Sequence, residues 1–486
     1  APPAPPPPSP APRPPAMSAE AKPAEEEELV EEKPWVKEPE RFVAAHDCLR
    51  LRFVGSAAEL SDSGDSRSAT FTPQYVHQIF NNEAIELPLA SRPLNMEVLY
   101  TAASLNLWIR CANDAAPQAD AAMDALYALM AELPAPCASL DAFTQAAEQP
   151  FDPASVCGGL LESYTLAPPA AAATTTTAAA TAAATAAMSY AVYCGAVHGD
   201  AARKAFALRV QTIYRWYIEG HSAIDLEDER WRFLAVFETV PPAAGSSAPP
   251  TYRLVSAATV FHFTRWVDGG AKLLVRLCQI AVLPGHRQRG HGSRLLQAVY
   301  AHARAEGAVQ VTVEDANPEF RMLRDLTDVR NCKRLALLAP SSCGSPPTDA
   351  QLAEARAALL LTDEQLLRCY ELQQLELLTK ELLTATGGSN DGKEEGADVE
   401  RPFRLAVKRR LSKRHREELD GAAFAAAQPD GESAEAAPSG ESIPAMLAKA
   451  QHAKQVGNEA RKRRLDELYT ETVAEYRQLA KRLEGR

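Results

Sequence analysis

No two cysteines in the 486 residues stand at Cys-x-x-Cys spacing. The nine present (Cys48, Cys111, Cys137, Cys157, Cys194, Cys278, Cys332, Cys343 and Cys369) are scattered and odd in number, which argues against a disulfide framework and a zinc knuckle and fits a reducing compartment. No apolar run approaches the ~20 residues that a membrane span needs, so no membrane association is expected. Ala1 to Pro15 is proline-rich and lacks the apolar stretch of a secretory signal. Positive charge is in deficit as well. With 51 Lys and Arg against 63 Asp and Glu, the net charge of -12 makes direct DNA binding unexpected and favours encounter with a lysine-rich chain. Location in the nucleus and cytoplasm is expected.

Hydrophobic residues make up 46% of the chain, enough for more than one core, although Pro, Ala, Ser and Thr gather in tracts that cannot offset chain entropy. Residues 1–40, Pro-rich and then acidic, read as a disordered extension. Residues 41–165 alternate strand-like runs (49–54 and 105–110) with a helical segment from Ala121 to Leu133, a small mixed domain. The Ala/Thr tract within 166–188 has no amphipathic face and reads as a linker or an extended loop. Residues 189–335 carry an α/β (α+β) core and 336–420 a helical domain, with helix starts at Thr348-x-x-Gln351 and Thr362-x-x-Gln365. In the second of these helices Leu367, Leu375, Leu378 and Leu382 share a face. Low-complexity linkers are expected at 387–400 and 421–445. The segment 446–486 ends in a helix over 461–484 that buries Leu465, Leu468, Thr472, Val473, Tyr476, Leu479 and Leu483.

The core is organised around residues 273–325. The branched, apolar run Leu273 to Leu283 is bounded by Pro284-Gly285 and reads as a strand. The turn Arg287-Gln288-Arg289-Gly290-His291-Gly292 follows, and then Leu295, Leu296, Val299, Tyr300 and Ala303 recur at helical spacing. A strand, a glycine turn and a helix start make an anion site, because unpaired amides and the positive dipole end point out of the first helical turn. Gly290 and Gly292 are expected to permit positive φ and close approach of a pyrophosphate, with Arg287 and Arg289 adding charge. The spacing fits neither a Walker loop, which needs a Lys-Ser/Thr pair, nor the three-glycine dinucleotide fingerprint. Upstream, Arg203 to Glu219 reads as an amphipathic helix, and 232–240 and 252–263 as strands joined by a Pro/Ser loop. Downstream, 309–313 is a strand ending in Glu314-Asp315.

The six-residue turn resembles the (Arg/Gln)-x-x-Gly-x-(Gly/Ala) signature of the GNAT acetyltransferase superfamily. With Ile224-Asp225-x-x-Asp228-Glu229-Arg230-Trp231, Val313-Glu314-Asp315, Leu323-Arg324-Asp325 and Phe71-x-Pro73-x-Tyr75-x-His77-Gln78-Ile79-Phe80, the chain resembles the type B histone acetyltransferase family over roughly 70–335. The resemblance implies a GNAT core between a substrate-gripping N-terminal domain and a C-terminal helical domain. It implies acetyl-CoA as co-substrate, the tail of newly made free histone four as acceptor and a WD40-repeat histone chaperone as partner.

Direct attack of a lysine on a thioester needs a base, since the reference pKa of the ammonium is ~10.4. By resemblance Glu314 is that base, with Asp315 and Glu219 as auxiliary carboxylates. The resemblance also places Ile280, Ala281, Val282, Arg287, Gln288, Arg289, Gly290, His291, Gly292, Ser293, Asn317 and Glu319 at the cofactor. It places Glu83, Trp231, Phe261, His262 and Phe263 at the substrate tail, where aromatic faces pack on lysine methylenes. No metal is expected, because His286 and His291 lack a Cys or acidic partner at ligand spacing. The basic string 408–416 suggests nuclear import. Two rival readings are an acetyltransferase of this fold with another protein acceptor, and a non-catalytic histone-binding scaffold that keeps acetyl-CoA bound.

Overall fold

A strand that is apolar on both faces has to be covered on both, and Trp231–Val240 is such a strand. Its Phe233, Ala235 and Phe237 enter one hydrophobic core while Leu234 and Val236 enter another. In the computed structural model, which describes residues 33–61, 70–80, 83–86, 95–111, 136–167, 187–242, 245–267, 269–342, 344–385, 393–428 and 443–484, this strand lies inside a six-stranded sheet. The strands are β1 (Phe42–Ala44), β2 (Leu49–Val54), β3 (Thr70–Phe71), β4 (Ala84–Glu86), β5 (Met96–Thr101), β6 (Leu107–Cys111), β7 (Gly159–Leu166), β8 (Met188–Ala196), β9 (Trp231–Val240), β10 (Thr251–Val267), β11 (Gly270–Val282) and β12 (Gln310–Val313). The longer helices are α1 (Ala201–Tyr217), α2 (His291–Ala305), α3 (Pro318–Arg334), α4 (Asp349–Leu359), α5 (Asp363–Ala385), α6 (Lys393–Arg414), α7 (Arg416–Ala427) and α8 (Ile443–Glu484).

The large sheet runs β12-β11-β10-β9-β8-β7, antiparallel throughout except for the parallel β11–β12 edge. The expected order from α1 through β9, β10, β11 and α2 to β12 is observed. Asp200 caps α1 by accepting from the Arg203 amide at 2.9 Å, and α1 covers one face of the sheet with Phe206, Val210, Ile213 and Tyr214. On the other face α2 lays Leu295, Leu296, Val299 and Ala303. Residues 159–166, which the sequence groups with the N-terminal domain, form the edge strand β7 of the large sheet. The Ala/Thr tract therefore joins two paired strands of one sheet, not two domains, and its residues 168–186 lie outside the described residues. So does the helix expected at Ala121 to Leu133. Pro34–Lys37, expected within the disordered extension, is a short helix.

The N-terminal sheet, β3-β2-β5-β6, shares its core with α1. Trp216 Nε1 donates to the Tyr100 hydroxyl at 2.9 Å with both rings fully buried, and Gln78 Nε2 donates to the carbonyls of Arg215 and Ile218 at 2.8 and 2.9 Å. Arg253 of β10 pairs with Glu59. Replacing Trp216 by Phe removes one of the two side-chain hydrogen bonds of the buried Tyr100 hydroxyl, leaving that with Thr212, and opens a void, and is expected to cost about 2 kcal/mol in urea unfolding.

At the C-terminal end the helices are more extensive than composition suggests. The expected linkers are partly helix: 393–400 open α6, 421–427 finish α7 and 443–445 start α8, while 386–392 and 429–442 lie outside the described residues. The terminal helix has 42 residues, and its C-terminal half folds back onto α5 and α6 through Leu468, Val473, Tyr476 and Leu479. Thr348 and Gln351 form the expected capping box. In α5 the fully buried position is Leu366 rather than Leu367, because the helix is covered on several sides. Asp325 of the Leu-Arg-Asp string lies 2.5 Å from Arg368 of α5, and Gln365 donates to Asp325 and Asp328 at 2.9 and 3.0 Å. That string welds the helical bundle to the sheet. The basic string 408–416 is folded as well: Lys408 pairs with Asp466, Arg410 with Glu371 and Arg414 with Glu364.

Candidate active site

The parallel edge of the large sheet opens partway along. β12 pairs with β11 only from Leu274 to Leu277, and the last rung is the Glu314 amide to the Leu277 carbonyl at 3.0 Å. β11 continues to Val282 with no partner on that side among the described residues. The Leu283 amide bonds to Val255 of the β10 segment at 2.9 Å, so by strand alternation the amides of Ile280 and Val282 face the gap. Ala281 points its methyl into the core under α1, and Ile280 packs on the α2 side. Cys278 is an extra residue opposite β10, since Thr259 pairs with Gln279 and Val260 with Leu277, and this bulge bends the strand at the mouth of the gap.

Beyond β11 the chain makes the expected turn. Gln288 and Gly290 have φ of 60° and 92°, and Arg294 N–H to Gly290 carbonyl, 3.1 Å, is the first bond of α2. The amides of His291, Gly292 and Ser293 therefore emerge from the helix end toward the gap. Nothing lies within 4 Å of a Cβ built on Gly290, so the need for glycine there is conformational. Gly290→Val is expected to cost about 1–2 kcal/mol in strain, read as a lower midpoint in urea unfolding.

Gly292 does not adopt the positive φ expected of it. It lies within the helix, and a Cβ there would come 2.5 Å from Leu323 Cδ1, so its small size lets α2 pack on α3. The His291 side chain turns into the core. Its ring is 1% exposed, its Nδ1 lies 2.7 Å from the Tyr164 hydroxyl, and it is packed edge-on against Tyr190. Burial and the nearby Arg289 cation lower its pKa to about 4. Its contribution to the turn is the backbone amide.

The two arginines are partly committed. Arg287 Nε donates to the Val282 carbonyl at 3.0 Å with its guanidinium over Tyr217, and Arg289 donates to the Tyr190 hydroxyl at 3.0 Å. Ser293 accepts from Thr327 of α3 at 3.2 Å. Asn317 caps α3 by accepting from the Phe320 amide at 2.8 Å, and Glu319 sits exposed in that first turn.

Strand parity fixes which side chains share the face of the sheet beside the gap. Thr312 and Glu314 of the β12 segment project opposite to the core residues Val311 and Val313. On that face lie Arg276, whose Nη1 is 3.9 Å from Glu314 Oε1, and Phe263, with the Arg276 guanidinium 5.1 Å from its ring. Burial and the Glu314 carboxylate push the Cys278 thiol pKa up, as expected for a protonated group beside an acid. Phe261 and Trp231 meet edge to face at 4.8 Å nearby.

His262 does not belong to this groove. It lies on the opposite face, 7% exposed, with Nε2 3.0 Å from His302 Nε2 of α2. Glu83 is engaged internally by Lys33 Nζ at 3.1 Å. Asp315 is exposed with φ of 36°, and Glu219 is exposed just beyond α1. Sequence reasoning passed over Gln279. Buried in β11, it donates to the Ser222 carbonyl at 2.8 Å and accepts from Thr259 and Gln211 at 3.0 and 3.2 Å, which holds the loop after α1 against the sheet. Its signal was a lone amide inside an apolar run. Among the described residues no cluster of His, Cys, Asp and Glu is placed to hold a metal ion.

A family model described as "Histone acetyl transferase HAT1 N-terminus" matches residues 42–219, and one described as "Acetyltransferase (GNAT) family" matches 210–321. The histone acetyltransferase type B catalytic subunit of Homo sapiens is 25% identical over 401 residues, 80% of this chain and 84% of its own length. That of Mycosarcoma maydis is 30% identical over 152 residues, 31% of each chain. A solved aminoglycoside acetyltransferase from an uncultured soil metagenomic sample is 14% identical, with 27% of this chain and 79% of its own covered at a TM-score of 0.19, too slight a likeness to weigh. With both domain models matched in succession and the parted strands, the glycine turn and the acidic strand end in one place, the chain belongs to the GNAT acetyltransferases, in the family of type B histone acetyltransferase catalytic subunits.

Proposed function

We propose that this acetyltransferase modifies lysines near the fifth and twelfth positions of the tail of newly made free histone four, with Glu314 as general base. One observation carries the reading: a strand-end carboxylate shares a sheet face with an aromatic groove at the mouth of a gap lined by unpaired amides. That gap suits acetyl-CoA. The amides of residues 291–293 would hold the pyrophosphate, with Arg287 and Arg289 as nearby charge, and those of Ile280 and Val282 would line the acyl end. Bound acetyl-CoA supplies the acyl group as a thioester.

Glu314 would accept one proton of the incoming ammonium, and the neutral amine would then form the C–N bond at the thioester carbonyl as the C–S bond breaks, with CoA leaving as a thiolate that takes the amine's second proton. An amide facing the gap donates to the carbonyl oxygen as it gains charge. Trp231 and Phe263 pack the lysine methylenes. The net charge of -12 favours a basic tail over an acidic one. A WD40-repeat histone chaperone is the proposed partner, and nucleus and cytoplasm the proposed locations. The test is turnover of acetyl-CoA against tail peptides of the core histones. The histone four peptide should give the highest kcat/KM, and finding it the poorest acceptor would point to another protein substrate.

A further inference from the structure

The two phenyl rings of the acceptor groove are already covered by cations from the chain itself. The Arg230 guanidinium lies 4.6 Å from the Phe261 ring and that of Arg276 lies 5.1 Å from the Phe263 ring. The two covers differ in how firmly they are held. Arg230, although its side chain is 57% exposed, is tied to Asp228 by three hydrogen bonds of 2.5, 2.9 and 3.1 Å, and it is this multidentate geometry, not burial, that holds it. Arg276 has one ionic contact among the described residues, 3.9 Å to Glu314, between side chains that are 43% and 47% exposed. Contacts between such exposed charges are weak and easily exchanged.

A protonated lysine approaching Glu314 has two needs, a carboxylate for its charge and an aromatic face for its methylenes. Arg276 meets both with its own side chain. We infer that Arg276 is an internal stand-in for the acceptor cation: it occupies the Phe263–Glu314 position, and the acceptor lysine enters by displacing it while the Phe261 face stays sealed by Arg230. This rests on the acceptor-lysine reading of the groove. It makes Arg276 a determinant of specificity, because only an acceptor that offers a cation at that point recovers the contacts that Arg276 gives up. It also assigns the two phenylalanines unequal roles, since only the Phe263 face can be vacated without breaking a bidentate pair.

The test measures peptide affinity by fluorescence anisotropy with saturating CoA, which does not depend on chemistry, alongside steady-state kinetics. Arg276→Met keeps the methylene packing and removes the competitor, so Kd and KM for the lysine peptide should fall about threefold to tenfold. Arg276→Lys restores a cation and should restore the wild-type Kd. A peptide with norleucine in place of the target lysine should not respond to Arg276→Met. Phe263→Leu should weaken lysine-peptide binding more than Phe261→Leu. An unchanged or raised Kd in Arg276→Met overturns the inference. So does an equal gain with the norleucine peptide, since that would mark a general charge effect. Failure of the base assignment is separable, because Glu314→Gln would then retain turnover whatever the Arg276 variants do to Kd.

Discussion

Glu314→Gln is expected to lower kcat for a histone tail peptide by about 10²–10³ while the affinity for acetyl-CoA stays within twofold, a loss in the range that removal of a general base produces. The isosteric amide keeps the backbone bond to Leu277 and the volume at the end of β12, so the fold should be unchanged. The capacity to accept a proton is removed, together with the negative charge that faces Arg276. Because a glutamine cannot titrate, the residual rate should climb with pH as free amine becomes available, where wild type levels off. Asp315→Asn and Glu219→Gln are expected to act within about tenfold. Asp315 is exposed on a left-handed backbone just past the end of β12, and Glu219 lies on the loop beyond α1. Full turnover in Glu314→Gln over the whole pH range would remove the base from the mechanism and leave the scaffold reading or another carboxylate.

The parts of this site that the sequence made legible are those fixed by neighbours in the chain. β11, its glycine turn and α2 follow one another within 36 residues, from Gly270 to Ala305, and each has its own local signal. Facing was legible in principle and missed. Phe261 and Phe263 sit two apart on β10, so His262 between them has to point to the other face, where it meets His302. Grouping all three as a groove followed the motif rather than the pleat. The remaining misses are non-local. Nothing near Cys278 announces a bulge, and it arises from the register of β10 against β11. That β7 belongs to the large sheet depends on pairing across the Ala/Thr tract. That Gly292 also has to be small for packing depends on Leu323, from a helix further along the chain, which takes the space beside it. The misread linker at 393–400 has a local cause, since its acidic residues, read there as low complexity, suit a helix N-terminus.

The second large effect is a loss of stability in mild acid, and its source is an unusual number of buried histidines. His221, His262 and His291 have pKa values lowered to about 4 and His286 to about 3, with burial the leading cause in each, and His302 is lowered in the same way. The geometry explains why the folded chain resists the extra proton. His262 and His302 face each other Nε2 to Nε2 at 3.0 Å with room for one proton between them. His291 Nε2 and His286 Nδ1 are buried without a hydrogen-bond partner among the described residues. Arg289, Arg232 and Arg215 add positive charge near these rings. A histidine whose folded pKa is lowered leaves the unfolded chain holding more protons below ~6.5, so stability present above that pH is lost as pH falls toward 4. Asp328 works in the opposite sense. Burial raises its carboxyl to about 7, so the folded chain binds a proton that the unfolded chain releases, and this favours folding as pH drops. One acid offsets part of the effect of several histidines, and from pH 7.5 to 5.5 the net loss should be on the order of 3 kcal/mol. In thermal unfolding this is roughly 5 °C in Tm. The chain should melt earlier at pH 5.5 than at 7.5, with His262→Asn narrowing the gap, because an amide in place of that ring cannot gain the second proton. Equal Tm values at the two pH values would mean that these rings protonate without cost, and that the paired and orphaned nitrogens of this fold reach water.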